Sequence, residues 1–265
     1  MFCINVSGGR TSGYMLWLMK SVLEEIGADF RAVFCNTGFE HPETIKFIAA
    51  MEDHWQVPIT RLEYKLYYKS PGYKVVQRGE EDTGGRPFTE LCRYYKKLPA
   101  RNMRFCTKEL KVRTAARYMK QNFGLDYVSF LGIRADEPHR NTELLYDARE
   151  KHYAAYPLAD LGVTKEDVLE FWREQSFDLG LRISPTQTVG GNCVFCFLKG
   201  EHNTAETIAE FPELLSPWKA LEEEFKETFS PRFSLAQVEA DLKSGRKFKL
   251  QNGYYCAKSF GDCTG

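Results

Sequence analysis

The sequence predicts an α/β fold: a parallel sheet with crossover helices over roughly the first 160 residues, then a mostly helical region that carries cysteines. Three observations predict it. Apolar runs of strand length alternate with stretches of helical period through the first part of the chain. The turns between them are rich in glycine, serine and threonine. The last third changes character, with a Cys-x-x-Cys in a glycine-rich turn ahead of a charged, helix-forming stretch.

Phe2 to Val6 is the first strand, and after Ser7-Gly8-Gly9-Arg10-Thr11-Ser12 a helical stripe of Tyr14, Leu16, Leu18, Val22, Leu23 and Ile26 runs to a stop at Gly27. Ala32 to Cys35 is a second strand. The turn Asn36-Thr37-Gly38-Phe39-Glu40-His41 follows, and a helix begins at Pro42, a residue suited to a first helical turn. Ile59 to Leu62 is a third strand. From about Lys65 to Arg104 the periodicity fails, and the sequence predicts an insertion or a mobile loop at 65–105. A helix from about Thr107 to Phe123 and a strand from Tyr127 to Leu131 restore the pattern. Thr164 caps a helix with Asp167 in its first turn. A charged helical region is expected from about Thr204 to Phe229, and the organisation reads as one α/β domain over 1–165 and a helical region over 166–265.

The 265 residues hold 36 Lys and Arg against 36 Asp and Glu, a net charge of zero that excludes a globally basic nucleic-acid coat or an acidic tail protein. No apolar run reaches the roughly 18 to 20 residues that cross a bilayer, and the N-terminus lacks the layout of a signal peptide. A cytoplasmic protein with no membrane partner is therefore expected. Eight cysteines are then unusual, because a reducing compartment gives no reason to keep disulfides. Cys3 and Cys35 lie in apolar runs and read as core thiols. Cys92 reads as a loop cysteine or a catalytic thiol. Cys193 and Cys196 form the Cys-x-x-Cys, which serves three chemistries: a dithiol, a zinc site, or an iron–sulfur cluster. Cys106, with Cys256 or Cys263 from the tail, supplies the scattered thiolates that a cluster tolerates.

The Ser7 to Ser12 turn sits between a strand and a helix, where backbone N–H groups and the helix dipole hold an anion. Its spacing is neither G-x-x-x-x-G-K-[ST] nor G-x-G-x-x-G. It resembles the S-G-G-x-x-S pyrophosphatase loop (PP-loop) of the adenine nucleotide alpha-hydrolase-like superfamily, which contains phosphoadenosine phosphosulfate reductases, ATP sulfurylase small subunits, and tRNA and DNA thiolation enzymes. Further segments match the reductases in order: Asn36-Thr37-Gly38-Phe39-Glu40-His41-Pro42-Glu43-Thr44, Cys106-Thr107-Lys108-Glu109-Leu110-Lys111, Gly132-Ile133-Arg134-Ala135-Asp136-Glu137, and Tyr156-Pro157-Leu158-Ala159-Asp160. Together they span about Ser7 to Thr164.

The resemblance implies a parallel five-stranded sheet flanked by helices, with ATP or another adenine nucleotide, and Mg, at the carboxyl ends of the strands. By position, Ser7, Gly8, Gly9, Arg10, Thr11, Ser12, Asn36, Thr37, Gly38 and Glu40 would bind the nucleotide, and Lys108, Lys111 and Arg134 would be the catalytic cations. Arg10 and Thr11 stand where many ATP-using members have Lys and Asp. The iron–sulfur branch, similar to the DNA phosphorothioation sulfurtransferase, implies a [4Fe-4S] cluster on Cys106, Cys193, Cys196 and Cys263, with Cys256 as the alternative fourth ligand and zinc as the alternative metal. The expected function is an adenylating sulfur transferase served by a sulfur donor protein. Two alternatives stand beside it: a phosphoadenosine phosphosulfate reductase, although the reductases' C-terminal E-C-G-x-H segment is missing, and a non-catalytic nucleotide- or nucleic-acid-binding partner. A tRNA or DNA acceptor would meet the basic aromatic segment Arg93, Tyr94, Tyr95, Lys96, Lys97, Arg101 and Arg104.

Overall fold

The computed structural model describes residues 1–68, 70–137, 145–147 and 152–249. In chain order, β1 (Phe2–Asn5) leads into α1 (Arg10–Glu25), β2 (Phe30–Asn36) into α2 (Pro42–Trp55), and β3 (Ile59–Tyr67) turns back as β4 (Ser70–Val76). Next come α3 (Arg86–Tyr95), a π-helical stretch Thr107–Arg113, α4 (Thr114–Phe123), β5 (Val128–Phe130), β6 (Leu145–Asp147), β7 (His152–Ala155) and the single turn α5 (Pro157–Asp160). The helices α6 (Lys165–Glu174), α7 (Glu201–Glu210), α8 (Ser216–Phe225) and α9 (Leu235–Lys243) follow.

The local signals act as the sequence predicts. Gly27 takes a left-handed φ of 64° just past the end of α1, the conformation that lets a chain leave a helix sharply. Pro42 opens α2, where the His41 side chain accepts the Glu43 N–H at 3.1 Å. Thr164 and Asp167 form the reciprocal capping box of α6.

The sheet order is β4-β3-β2-β1-β5-β7-β6. The five central strands are parallel, as expected, and an antiparallel strand closes each edge. One of these edges falls within 65–105, where the sequence predicts an insertion or a mobile loop, and gives that segment regular structure. β3 runs on to Tyr67, β4 pairs with it from Val76 back to Ser70, and α3 follows. The Pro71-Gly72 pair hid this strand, yet an edge position tolerates proline because one side of the ladder is unpaired.

Alternation along the strands divides the core. Ile4, Ala32 and Phe34 pack toward α1, α2 and α6, while Cys3, Val33 and Leu62 pack toward Ala115 and Met119 of α4. The helix α6 and residues Leu179 and Leu181, beyond 165, belong to the first of these clusters. A separate cluster joins Phe39, Tyr64, Phe88, Leu91 and Cys92 to Val194, Phe195 and Trp218. Trp218 is fully buried there, and burying such a ring contributes about 2–3 kcal/mol. This cluster fastens α7, α8 and α9 to the sheet through α3. The expected helical region near 204–229 is two helices, broken at Phe211 where Pro212 opens a 3-10 turn, because proline lacks the N–H that would continue α7.

Among the described residues no helix is long and apolar enough to cross a membrane.

Candidate functional site

From β1 the chain passes to β2 and β3 on one side, and later to β5 and β7 on the other, so the order reverses between β1 and β5. Loops leaving the carboxyl ends of strands at such a point form the crevice where open α/β sheets bind ligands. Here they are Ser7 to Ser12 after β1 and Gly132 to Arg134 after β5. The two meet: Arg134 Nη1 donates to Thr11 Oγ1 at 3.2 Å, and a Cβ on Gly132 would lie 3.3 Å from the Ser12 Cα.

Ser12 holds the first loop closed. Its Oγ accepts from the Ser7 N–H and the Ser7 hydroxyl, both at 3.0 Å, and donates to the Gly9 carbonyl at 2.9 Å. Gly8 has a φ of 82°, and the Thr44 methyl occupies the place of its missing Cβ. The α1 N-terminus has neither a side-chain cap nor an acidic residue in its first turn, so the positive end of the helix is uncompensated at this loop. Thr44 is a residue that sequence reasoning did not single out, although it closes the Asn36 to Thr44 segment. Its Oγ1 is buried and has no hydrogen-bond partner. An orphaned hydroxyl beneath a glycine loop is a donor suited to an anion held there.

The Arg10 side chain is engaged within the fold. Its guanidinium is buried and turned to Asp178, with Nε and Nη2 at 2.7 and 2.6 Å from the two carboxylate oxygens, and Nη2 also donates to the Leu181 carbonyl. Trp172 Nε1 in turn donates to the Arg10 carbonyl at 2.8 Å. Arg10 thus ties the loop to α6 and the segment after it. Arg134 carries the nearby positive charge, and it is itself ion-paired with Asp136 and Glu137.

The Asn36 to Glu40 segment forms the second wall. Asn36 Nδ2 donates to Glu63 Oε1 and the Asp82 carbonyl, both at 2.8 Å, and its Oδ1 accepts the Gly38 N–H. The buried Glu40 carboxylate accepts the Thr37 N–H and hydroxyl at 2.9 Å. Lys111 Nζ lies 3.9 Å from Glu40 Oε1, whereas Lys108 is exposed. Both lysines stand on the π-helical stretch, whose wider turns recur at functional sites. Glu109, buried beside them, binds Arg113, Arg117 and the Tyr95 hydroxyl.

The cysteine turn reaches this wall. Glu40 and Cys193 form an antiparallel bridge, Val194 N–H donates to the Phe39 carbonyl at 3.0 Å, and Cys193 Sγ is 3.5 Å from Thr37 Oγ1. Cys193 and Cys196 share one turn, closed by the Cys196 N–H on the Cys193 carbonyl. Cys106 precedes the π-helical stretch and, like Cys193, packs against the third core cluster. Among the described residues no three His, Cys, Asp or Glu side chains are grouped to hold a metal ion. The thiolate donors of Cys106, Cys193 and Cys196 have the chemistry that suits a soft metal. Cys256 and Cys263 lie outside the described residues.

Cys92 is no loop thiol. It is on α3, fully buried, and burial pushes its thiol up, with Cys106 and Glu224 adding to the effect. A thiol so disposed carries little thiolate in this arrangement. The neighbouring basic aromatic segment is partly engaged within the fold. Arg93 makes a two-pronged contact with Glu224, and Tyr95 stacks on Phe105 with ring centroids 4.4 Å apart.

Comparison with known proteins supplies a family. The family model described as the phosphoadenosine phosphosulfate reductase domain matches residues 2–180. An uncharacterized nin region protein of Escherichia phage lambda is 35% identical over 204 residues, which cover 74% of this chain and 65% of the phage protein. An uncharacterized protein of Methanocaldococcus jannaschii is 28% identical over 236 residues, 83% of this chain but 41% of the archaeal protein. The chain thus spans less than two thirds of the length of either relative.

Proposed function

This chain belongs to the phosphoadenosine phosphosulfate reductase domain family, and from that membership we propose that it binds an adenine nucleotide between the loops after β1 and β5 and catalyses an adenylating sulfur transfer. The observation that carries the reading is the junction of Thr11 with Arg134 across the point where the strand order reverses. It sets an uncapped helix N-terminus, a glycine turn and a guanidinium around one crevice, the set of groups that binds a phosphate chain. In the proposed step an acceptor oxygen attacks the α-phosphorus of ATP, and the bond to pyrophosphate breaks. The Ser7 to Ser12 loop would hold the phosphates, and Arg134, with Lys111 and Lys108 at the rim, would offset the charge on the leaving group.

Cys106, Cys193 and Cys196, with Cys263 or Cys256, are proposed to hold a [4Fe-4S] cluster, which would hold or deliver the sulfide-level sulfur that bonds to the activated acceptor as AMP leaves. The contact of Cys193 with Thr37 supports this, because it sets the thiol turn against the nucleotide wall. Anaerobic purification with iron and sulfide analysis tests it, and a colourless protein with stoichiometric zinc would overturn it.

Calorimetric titration with AMP, ATP and phosphoadenosine phosphosulfate, followed by pyrophosphate release from ATP, tests the nucleotide reading. We expect ATP binding that is lost in Ser12→Ala. The family match also favours a second reading, reduction of a sulfonucleotide. Sulfite release from phosphoadenosine phosphosulfate without pyrophosphate release from ATP would select that one. A protein that binds none of the three nucleotides would sink both.

A further inference from the structure

Val194, between the two cysteines of the thiol turn, is fixed from both sides. Its N–H donates to the Phe39 carbonyl of the nucleotide wall at 3.0 Å, and its own carbonyl accepts Lys199 Nζ at 2.9 Å. Two successive turns bring the lysine there. The Cys196 N–H closes on the Cys193 carbonyl at 3.1 Å, and the Lys199 N–H closes on the Cys196 carbonyl at 2.9 Å. Cys193, Cys196 and Lys199 thus recur at every third residue of one tightly wound segment, and Gly200 then caps α7. Val194 and Phe195 seat the segment in the cluster that holds Trp218, and Leu198 is buried as well.

The depth of Lys199 points to a role beyond tethering. It is only 9% exposed, and burying a cation costs free energy that nearby negative charge offsets. Negative charge is what this turn gains when it binds a soft metal, because the ligand is the thiolate and not the thiol. The other charged groups around the turn are of both signs. The Glu40 carboxylate lies 4.0 Å from Cys193 Sγ with Lys111 on it, and the His41 ring feels Lys199, Lys46, Glu43 and Glu213. Lys199 differs from these in being bonded to the peptide that joins the two cysteines.

We propose that Lys199 is a positioning residue of the thiol turn, which fixes the Val194 peptide between Cys193 and Cys196 and sets a positive charge beside a thiolate-bound soft metal, tightening its binding. That the metal is an iron–sulfur cluster rests on the reading above; the effect of the charge holds for any soft metal.

Two measurements on the full chain, prepared anaerobically, test this. Cd2+ is titrated into the metal-free protein and followed by thiolate-to-metal charge-transfer absorbance, with Cys193→Ser as the control that assigns the signal to this turn. Where iron is present, its centre is titrated with dithionite and followed by electron paramagnetic resonance. Lys199→Met removes donor and charge, Lys199→Gln keeps a donor without charge, and Lys199→Arg keeps both. We expect Lys199→Met to weaken Cd2+ binding about tenfold, with Lys199→Arg near the wild-type protein and Lys199→Gln between them. In the iron-loaded protein, Lys199→Met should favour the oxidised form about tenfold at fixed potential, a shift of about 59 mV for one electron. Should Lys199→Met fail to fold, Lys199→Gln against Lys199→Arg makes the same comparison.

A merely structural lysine would lower the melting temperature and leave the Cd2+ affinity and the potential unchanged, and that result would overturn the proposal. Equal loss of Cd2+ affinity in Lys199→Arg and Lys199→Met, or a Cd2+ signal that survives Cys193→Ser, would do so too. Lys199-dependent Cd2+ binding in a protein that holds no iron would keep the lysine's role and remove the cluster. An iron centre whose potential ignores Lys199 would keep the cluster and remove the role.

Discussion

Glu40 and Cys193, 153 residues apart, pair as a β-bridge that brings the cysteine turn against the loop after β2. The Glu40 carboxylate organises this junction by accepting both the N–H and the hydroxyl of Thr37. Glu40→Ala should cost about 1–3 kcal/mol, since it leaves a buried N–H unpaired. Glu40→Gln, which keeps one acceptor oxygen, should cost less. Urea unfolding of the two variants checks this order, and equal costs would show that the carboxylate does not organise the turn.

Gly8→Ala should destabilise the protein by about 1–3 kcal/mol, through strain at positive φ and collision with the Thr44 methyl. Thr44→Ser removes that methyl and should recover part of the loss in a Gly8→Ala background. Thermal melts of the single and double variants would measure the coupling; strict additivity would mean the two residues do not meet.

Arg10→Ala should lower stability by about 1–2 kcal/mol, a value reduced because Asp178 is partly exposed. Arg10→Lys should lose most of the same amount, because an ammonium cannot make the two-pronged contact. Denaturation midpoints give the comparison. An Arg10→Ala protein of unchanged stability would contradict the structural role drawn for this residue.

Cys92 should resist iodoacetamide in the native protein near pH 8 and react once the chain is unfolded in urea. Its burial raises the thiol, so little thiolate is present under those conditions. Mass spectrometry of the alkylated peptides locates the label, and rapid native modification of Cys92 would refute the placement.

His41 makes stability depend on pH. Burial holds its ring below the ordinary value of 6.5, with Lys199 and Lys46 acting in the same direction and Glu43 and Glu213 opposing them. The unfolded chain then binds the proton more readily, so the contribution is complete above 6.5 and is lost as pH falls below it toward the folded value. His41→Asn retains a capping acceptor without titrating, and should flatten the decline relative to the wild-type protein. An unchanged slope would assign the pH dependence to other groups.

Much of the fold was legible because its signals are local. Gly27, Pro42 and the Thr164–Asp167 pair mark helix ends through backbone conformation and capping, which need only a few neighbouring residues. The β4 strand was not legible, because Ser70-Pro71-Gly72 reads as a turn and becomes a strand only by pairing with β3. Helix α3 carries Phe88, Leu91 and Cys92 at helical spacing, but it is too short to stand out between glycine turns. Within the candidate site, the Ser7 to Ser12 loop could be read from its place between strand and helix, whereas Thr44 emerged only from its position beneath Gly8.

The sequence by itself determined the alternation of strand and helix, the glycine loop ahead of α1 and the order of the family's segments, all of which depend on near neighbours and chain direction. Tertiary structure decided that Arg10 turns to Asp178, that Cys92 is buried, and that Cys193 meets Thr37 and Glu40. A long or ionisable side chain settles where burial and its partners leave the lowest free energy. Those partners come from segments distant in the chain, so only the folded arrangement selects among them.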